Sequence, residues 1–171
     1  MEIVITAESD ATLDLWRREL ADDLPVELWR AEPRDVPADA VAVSGVFAFG
    51  RYGGRPKQGV AQILRNHRND GYPALVVVPP SRPATFGPDG TPIVLPEYAD
   101  VSPAYFGVSR ALAALTTWNA EGGEPHVHVL LFPLTLLGMD SADDASTPRS
   151  VGAAVRDVLG LGANRGKGEQ A

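Results

Sequence analysis

The chain has 171 residues, of which 44% are hydrophobic, no cysteine, and a formal net charge of −7. That size and apolar share predict one globular unit over residues 1–160, burying roughly two-thirds of its unfolded surface, with 161–171 as a flexible tail. Disulfides, thiolate metal sites and a cysteine nucleophile are excluded, and the acidic balance argues against a nucleic-acid backbone as partner. Reading from the amino terminus, "EIVITA" at 2–7 is a β-branched run that predicts a strand. Ser9 or Asp10 can cap a following helix that carries Leu13, Trp16, Leu20 and Leu24 and ends at Pro25. "VELW" at 26–29 and "AVAVSG" at 40–45 predict the next two strands, joined by the Pro-rich "AEPRDVPAD".

The stretch "VSGVFAFGRYGGRPKQGV" at 43–60 leaves the third strand and crosses Gly53-Gly54. Beyond it, Val60, Ile63 and Leu64 fit the stripe of a helix closed by Gly71, and "ALVVV" at 74–78 fits a further strand. Residues 79–101 are too proline-rich for a helix and predict a lid or a hairpin around "PDGT". Ser102-Pro103 opens a helix through Val108, Leu112, Leu115 and Trp118 to the Gly122-Gly123 stop. "HVHVLLFPL" at 126–134 predicts the last strand, and Thr147-Pro148 opens a final helix through Val151, Val155, Val158 and Leu159.

Helices alternating with continuous apolar strands predict an α/β fold, a three-layer α/β/α sandwich around a mixed, largely parallel central sheet. Ligands of such sheets sit beyond the carboxyl ends of the strands, which singles out the loops 44–57 and 133–148. No apolar run of roughly 18 residues and no signal pattern is visible, so no membrane partner and a cytoplasmic location are expected.

The order of these elements, with "ADAVAVSGVFAFGRYGG", resembles the macro domain family, in particular its phage-tail-associated and related bacterial branch. "VVVPPSRPA" at 76–84, "SPAYFGVSRALAAL" at 102–115 and "LFPLTLLG" at 131–138 are similar to further stretches of that branch. The resemblance implies ADP-ribose or a related nucleotide as ligand, its diphosphate between the two loops and its adenine near an acidic residue, for which Glu32 is the candidate. It assigns ligand contacts to Glu32, Ser44, Phe47, Gly53, Gly54, Arg55, Thr135 and Gly138, and names no catalytic residue and no cofactor. Two departures stand out: Phe47 occupies the family's ribose-contacting asparagine position, and the second loop carries Leu136, Leu137 and the acidic Asp140, Asp143 and Asp144. They leave open a reader or weak hydrolase of ADP-ribose, or a non-catalytic module for a protein partner whose pocket is closed by Phe47, Leu136 and Leu137. An unrelated α/β enzyme using the acidic loop with a divalent cation is a third possibility.

His126 and His128 share one face of a strand and lack a third ligand, so no metal site is expected. Gly53-Gly54 have a second explanation, a turn that needs positive φ between regular elements.

Overall fold

The computed structural model describes residues 1–162. In chain order the elements are β1 (Glu2–Ala7), α1 (Asp10–Glu19), β2 (Val26–Arg30), β3 (Ala40–Ala42), α2 (Gly45–Tyr52), β4 (Gln62–Arg65), β5 (Leu75–Val78), β6 (Ala84–Phe86), β7 (Pro92–Val94), α3 (Pro103–Ala120), β8 (Val129–Pro133), α4 (Leu134–Leu137) and α5 (Ser146–Val158). Six strands form one sheet in the order β2-β1-β8-β3-β5-β4, and β6-β7 form a separate hairpin. All neighbours in the six-stranded sheet pair parallel except β4, which runs antiparallel to β5 at the edge.

The core follows from the period-two alternation of buried strands. Ile3, Ile5, Ala40, Ala42, Leu75, Val77, Leu130 and Phe132 face one way and pack against Leu13 and Trp16 of α1, Val108, Leu112 and Leu115 of α3, and Val151 and Val155 of α5. Val4, Val41, Val76, Val78 and Leu131 face the other way and meet Ala48 and Phe47 of α2 together with Val36 and Tyr72. Each such fully buried Val, Leu or Phe side chain contributes about 1.5–3 kcal/mol. The α/β class and the mixed, mostly parallel sheet are as expected, with helices against both faces.

Local chemistry sets the helix ends. Ser9 caps α1 by accepting from Thr12 N, and Ser102 caps α3 by accepting from Tyr105 N with Pro103 in the first turn. α1 closes at Glu19, ahead of Pro25, because Leu20 already has extended backbone. Within 79–101, residues 84–94 form a hairpin whose tip holds "PDGT", one of the two forms expected for the segment, and a short 3-10 turn follows at Pro96–Tyr98. Of the expected tail, Leu161 N donates to Arg156 O, and residues 163–171 lie outside the described residues.

One stretch departs from expectation. The helix lies before Gly53-Gly54, not after them, and residues 62–65 are a strand rather than part of a helix ended by Gly71. Ser44 caps α2 by accepting from Phe47 N, and Gly53, at φ 84°, stops it. Ile63 and Leu64 then face opposite sides of the sheet, Ile63 toward the α3 side and Leu64 toward the α2 side. A short apolar run fits either period, and pairing with β5 decides it. Gly71, at φ 87°, serves the turn between β4 and β5.

Candidate functional site

The parallel strands deliver the loops after β3, β5 and β8 to one end of the sheet, where β8 sits between β1 and β3. The chain winds from β1 to β2 in one direction and from β3 to β5 in the other, so the crevice that favours ligands in open α/β sheets falls there. An open cleft of about 410 Å³ occupies this place. Its walls are Ser44 and Gly45 after β3, Pro79, Pro80 and Ser81 after β5, and Leu137, Gly138 and Met139 after β8. The first turns of α3 and α5 complete it with Ser102, Pro103, Ala104, Ser146 and Thr147.

Hydrogen bonds fix these walls to one another. Ser44 N donates to Leu136 O at 3.0 Å, which ties the loop after β3 to the loop after β8. Thr12 Oγ1 donates to Asp140 O at 2.9 Å, and Met139 N donates to Leu134 O at 2.9 Å, so the second loop is anchored at both sides of Gly138. Gly138 takes the left-handed conformation at φ 68°, which a glycine adopts without strain. Gly107 lets α3 approach the segment after β5, since a Cβ there would stand 3.1 Å from Pro80 O. The cleft is therefore a preformed hollow whose walls are held by hydrogen bonds.

Its electrostatics come from helix starts rather than from cationic side chains. Ser44 and Ser102 accept from Phe47 N and Tyr105 N, which leaves the earlier N–H groups of Gly45, Val46 and Ala104 without intrahelical acceptors, and the helix dipoles add positive potential. α5 contributes less, because Asp144 caps its start: Oδ1 accepts from Ser146 N at 3.0 Å and from Ser146 Oγ, and Oδ2 accepts from Thr147 Oγ1 at 2.7 Å. These side-chain hydrogen bonds from Ser146 and Thr147 hold the Asp144 carboxyl below its ordinary range.

A second hollow of about 530 Å³ adjoins the first, sharing Gly45, Pro79, Pro80 and Ser81. It is largely apolar, with Val46, Phe49, Pro56, Val60 and Val78 in its walls and Lys57, Gln62 and Ser81 as its polar side chains. A ligand long enough to span both would place an anionic part among the helix starts and a flat or apolar part in this groove.

Of the residues expected to contact a ligand, Ser44 and Gly138 line the cleft. Phe47 does not fill it: its ring packs edge-on against Tyr72 at 5.6 Å, lies 6.3 Å from Tyr52, and carries the Arg51 guanidinium at 4.1 Å. Leu136 packs on the same side as Phe47, and Leu137 alone of the two leucines reaches the cleft. Gly53 and Gly54 stand at the far end of α2, and at Gly54, φ 79°, a Cβ would come within 3.0 Å of the Leu64 side chain. Arg55 is exposed beyond them and its carbonyl accepts from Gln62 Nε2, while Thr135 is exposed on α4. Glu32 lines a separate hollow of about 360 Å³ with Ala7, Glu8, Arg30 and Ala31.

The cleft residues that sequence reasoning did not single out are Gly45, Pro79 to Ser81, Ala104, Gly107, Met139 and Ser146. Ser102-Pro103 was legible as a helix start, and the strand-end rule applied to every loop after a parallel strand would have added residues 79–81. His126 and His128 lie before β8, away from the cleft, with ring centroids 4.4 Å apart. Among the described residues, no three His, Asp or Glu side chains gather as a metal-ligand group. No helix among them is long and apolar enough to cross a membrane.

Compared with known proteins, the chain matches no family model and no curated relative.

Proposed function

We propose that this chain is a divergent macro-like domain that binds ADP-ribose or a related nucleotide in the cleft between the loops after β3 and β8. The observation that carries the reading is the open cleft itself. It joins the first N–H groups of α2 and α3, at Gly45 and Ala104, which the Ser44 and Ser102 caps do not engage, to an apolar groove through Gly45 and Ser81. In the first compartment the helix-start N–H groups at Gly45 and Ala104 offer donors to a diphosphate against the opposing Asp144 carboxylate, and a base or ribose fits the second by shape and apolarity. The Phe47 ring, packed against Tyr72, leaves the cleft open and so weakens the reading of a module closed by that residue.

Binding is favoured over hydrolysis. Asp144 is the carboxylate in the cleft wall, and with both oxygens engaged by Ser146 and Thr147 and its carboxyl acidified, it is a poor base for activating water. The cleft thus supports a reader of ADP-ribose-type groups more than an enzyme that removes them.

The test is calorimetric titration with ADP-ribose, with and without Mg²⁺, on the wild type and on Ser81→Glu. Ser81 is exposed and lines both hollows, so a carboxylate there meets the ligand while leaving the core untouched. Measurable heat below about 1 mM ligand, with affinity reduced about tenfold or more in Ser81→Glu, is the expected result. No heat from folded wild type, or binding indifferent to Ser81→Glu, contradicts it.

A further inference from the structure

His126 and His128 form a side-chain cluster that the cleft does not use. They precede β8, at the end of the sheet opposite the one to which β8 delivers its loop, and both are exposed. Their ring centroids stand 4.4 Å apart, with the ring planes tilted by 44°. Val127 between them is buried in the core on the α3 side, which seats the segment that carries both rings.

The backbone under the two rings is held from three directions. Val127 N donates to Asn119 Oδ1 at 2.8 Å, and Val127 O accepts from Asn119 Nδ2 at 2.9 Å, which fixes the segment to the end of α3. Trp118 Nε1, on the same helix, donates to Pro125 O at 2.9 Å. His128 N and Val129 N both donate to Asp39 Oδ2 at 2.9 Å, and His128 O accepts from Glu2 N at 2.8 Å. Two imidazoles are thus presented side by side on a fixed backbone, so engaging both at once costs little further ordering.

The spacing of the rings selects the ligand chemistry. Imidazole suits late first-row divalent ions, and an ion about 2.0–2.1 Å from a coordinating nitrogen stands about 3.2 Å from that ring's centroid. Two imidazoles at right angles around one ion then have centroids about 4.5 Å apart, whereas tetrahedral positions need about 5.2 Å. The 4.4 Å found matches the right-angle case. From this match we infer that His126 and His128 form a two-imidazole chelate for a divalent late transition-metal ion, with Cu²⁺ held most tightly by the order of metal affinities. Among the described residues no group of three His, Asp or Glu side chains gathers, so water takes the other positions and the ion stays exchangeable. The net charge of −7 favours the approach of a cation. The inference stands whether or not the cleft takes a nucleotide.

Calorimetric titration of the full, untagged chain with Cu²⁺ in a non-coordinating buffer tests it, with electron paramagnetic resonance of the same samples. One ion per chain, a dissociation constant below about 100 µM, and hyperfine splitting from two imidazole nitrogens are expected. His126→Ala and His128→Ala change exposed side chains and leave the backbone clamps of Asn119 and Asp39 in place, so the fold is kept. Each is expected to weaken binding about tenfold or more, because the remaining imidazole loses its intramolecular partner. His67→Ala removes the third histidine of the chain and is expected to leave the affinity unchanged. No binding to the folded wild type, binding indifferent to His126→Ala or to His128→Ala, or binding lost in His67→Ala overturns the proposal.

Discussion

At Gly107 one hydrogen atom in place of a side chain decides how close α3 comes to the segment after β5. A Cβ would meet Pro80 O at 3.1 Å and the Pro79 ring at 3.3 Å, and backbone cannot swing aside as a flexible side chain can. Gly107→Ala is expected to destabilise the fold by about 1–3 kcal/mol, read as a lowered denaturant midpoint, and to weaken ligand binding by moving the cleft wall. Asp70 is the other residue on which a local structure turns. It accepts from Tyr52 Oη at 2.7 Å, Asn66 Nδ2 at 2.9 Å and Tyr72 N at 3.2 Å, stapling the end of α2 to the turn between β4 and β5. Burial pushes its carboxyl up, but these hydrogen bonds outweigh burial and hold it below its usual 3.8, while burial and the bond to Asp70 push the Tyr52 phenol up. The contribution of Asp70 is therefore intact at neutral pH and is lost as the pH falls below 3.8 and through the folded value. Asp70→Asn is expected to cost about 1–2 kcal/mol near pH 7. In thermal melts the gap to wild type should narrow as the pH falls to about 3; a gap that stays constant contradicts the assignment.

At the scale of elements, α2 is the pivot between fold and site. Its start, Ser44-Gly45, enters the cleft, and its end, Gly53-Gly54, meets β4. Ser44→Ala removes the cap and is expected to cost about 1 kcal/mol, with amide exchange accelerated first over residues 45–48. This helix was also the least legible element. Gly45 and Gly50 lower its intrinsic propensity, and it runs for 8 residues, so the glycine pair read as the entry to a helix when it is the exit from one. The four residues of β4 were illegible for a related reason: their pairing with β5 is set by tertiary contact, not by local pattern. By contrast β1, β5 and β8 declared themselves through unbroken apolar runs, and α3 through Ser102-Pro103 and its regular Leu112 and Leu115 spacing. The site was half legible. The two loops were identified from the strand-end rule, but which of their residues face inward depends on where α2 starts, and the residue 79–81 wall depends on strand order, which no local signal carries.

At the scale of the whole molecule, the cleft, the apolar groove and the β6-β7 hairpin all lie toward the end of the sheet to which β3, β5 and β8 deliver their loops. An acidic protein of net charge −7 can still present a positive potential there, because the helix starts of α2 and α3 act locally and Lys57 lines the adjoining groove. The central claim is that the hollow between the loops after β3 and β8 receives an ADP-ribose-type ligand. Amide chemical-shift mapping of the isotope-labelled protein during titration with ADP-ribose tests it most directly. The account predicts perturbations centred on Gly45, Val46, Ser81, Ala104 and Gly138; an unchanged spectrum, or shifts centred instead on Glu32 or on Gly53 and Gly54, would contradict it.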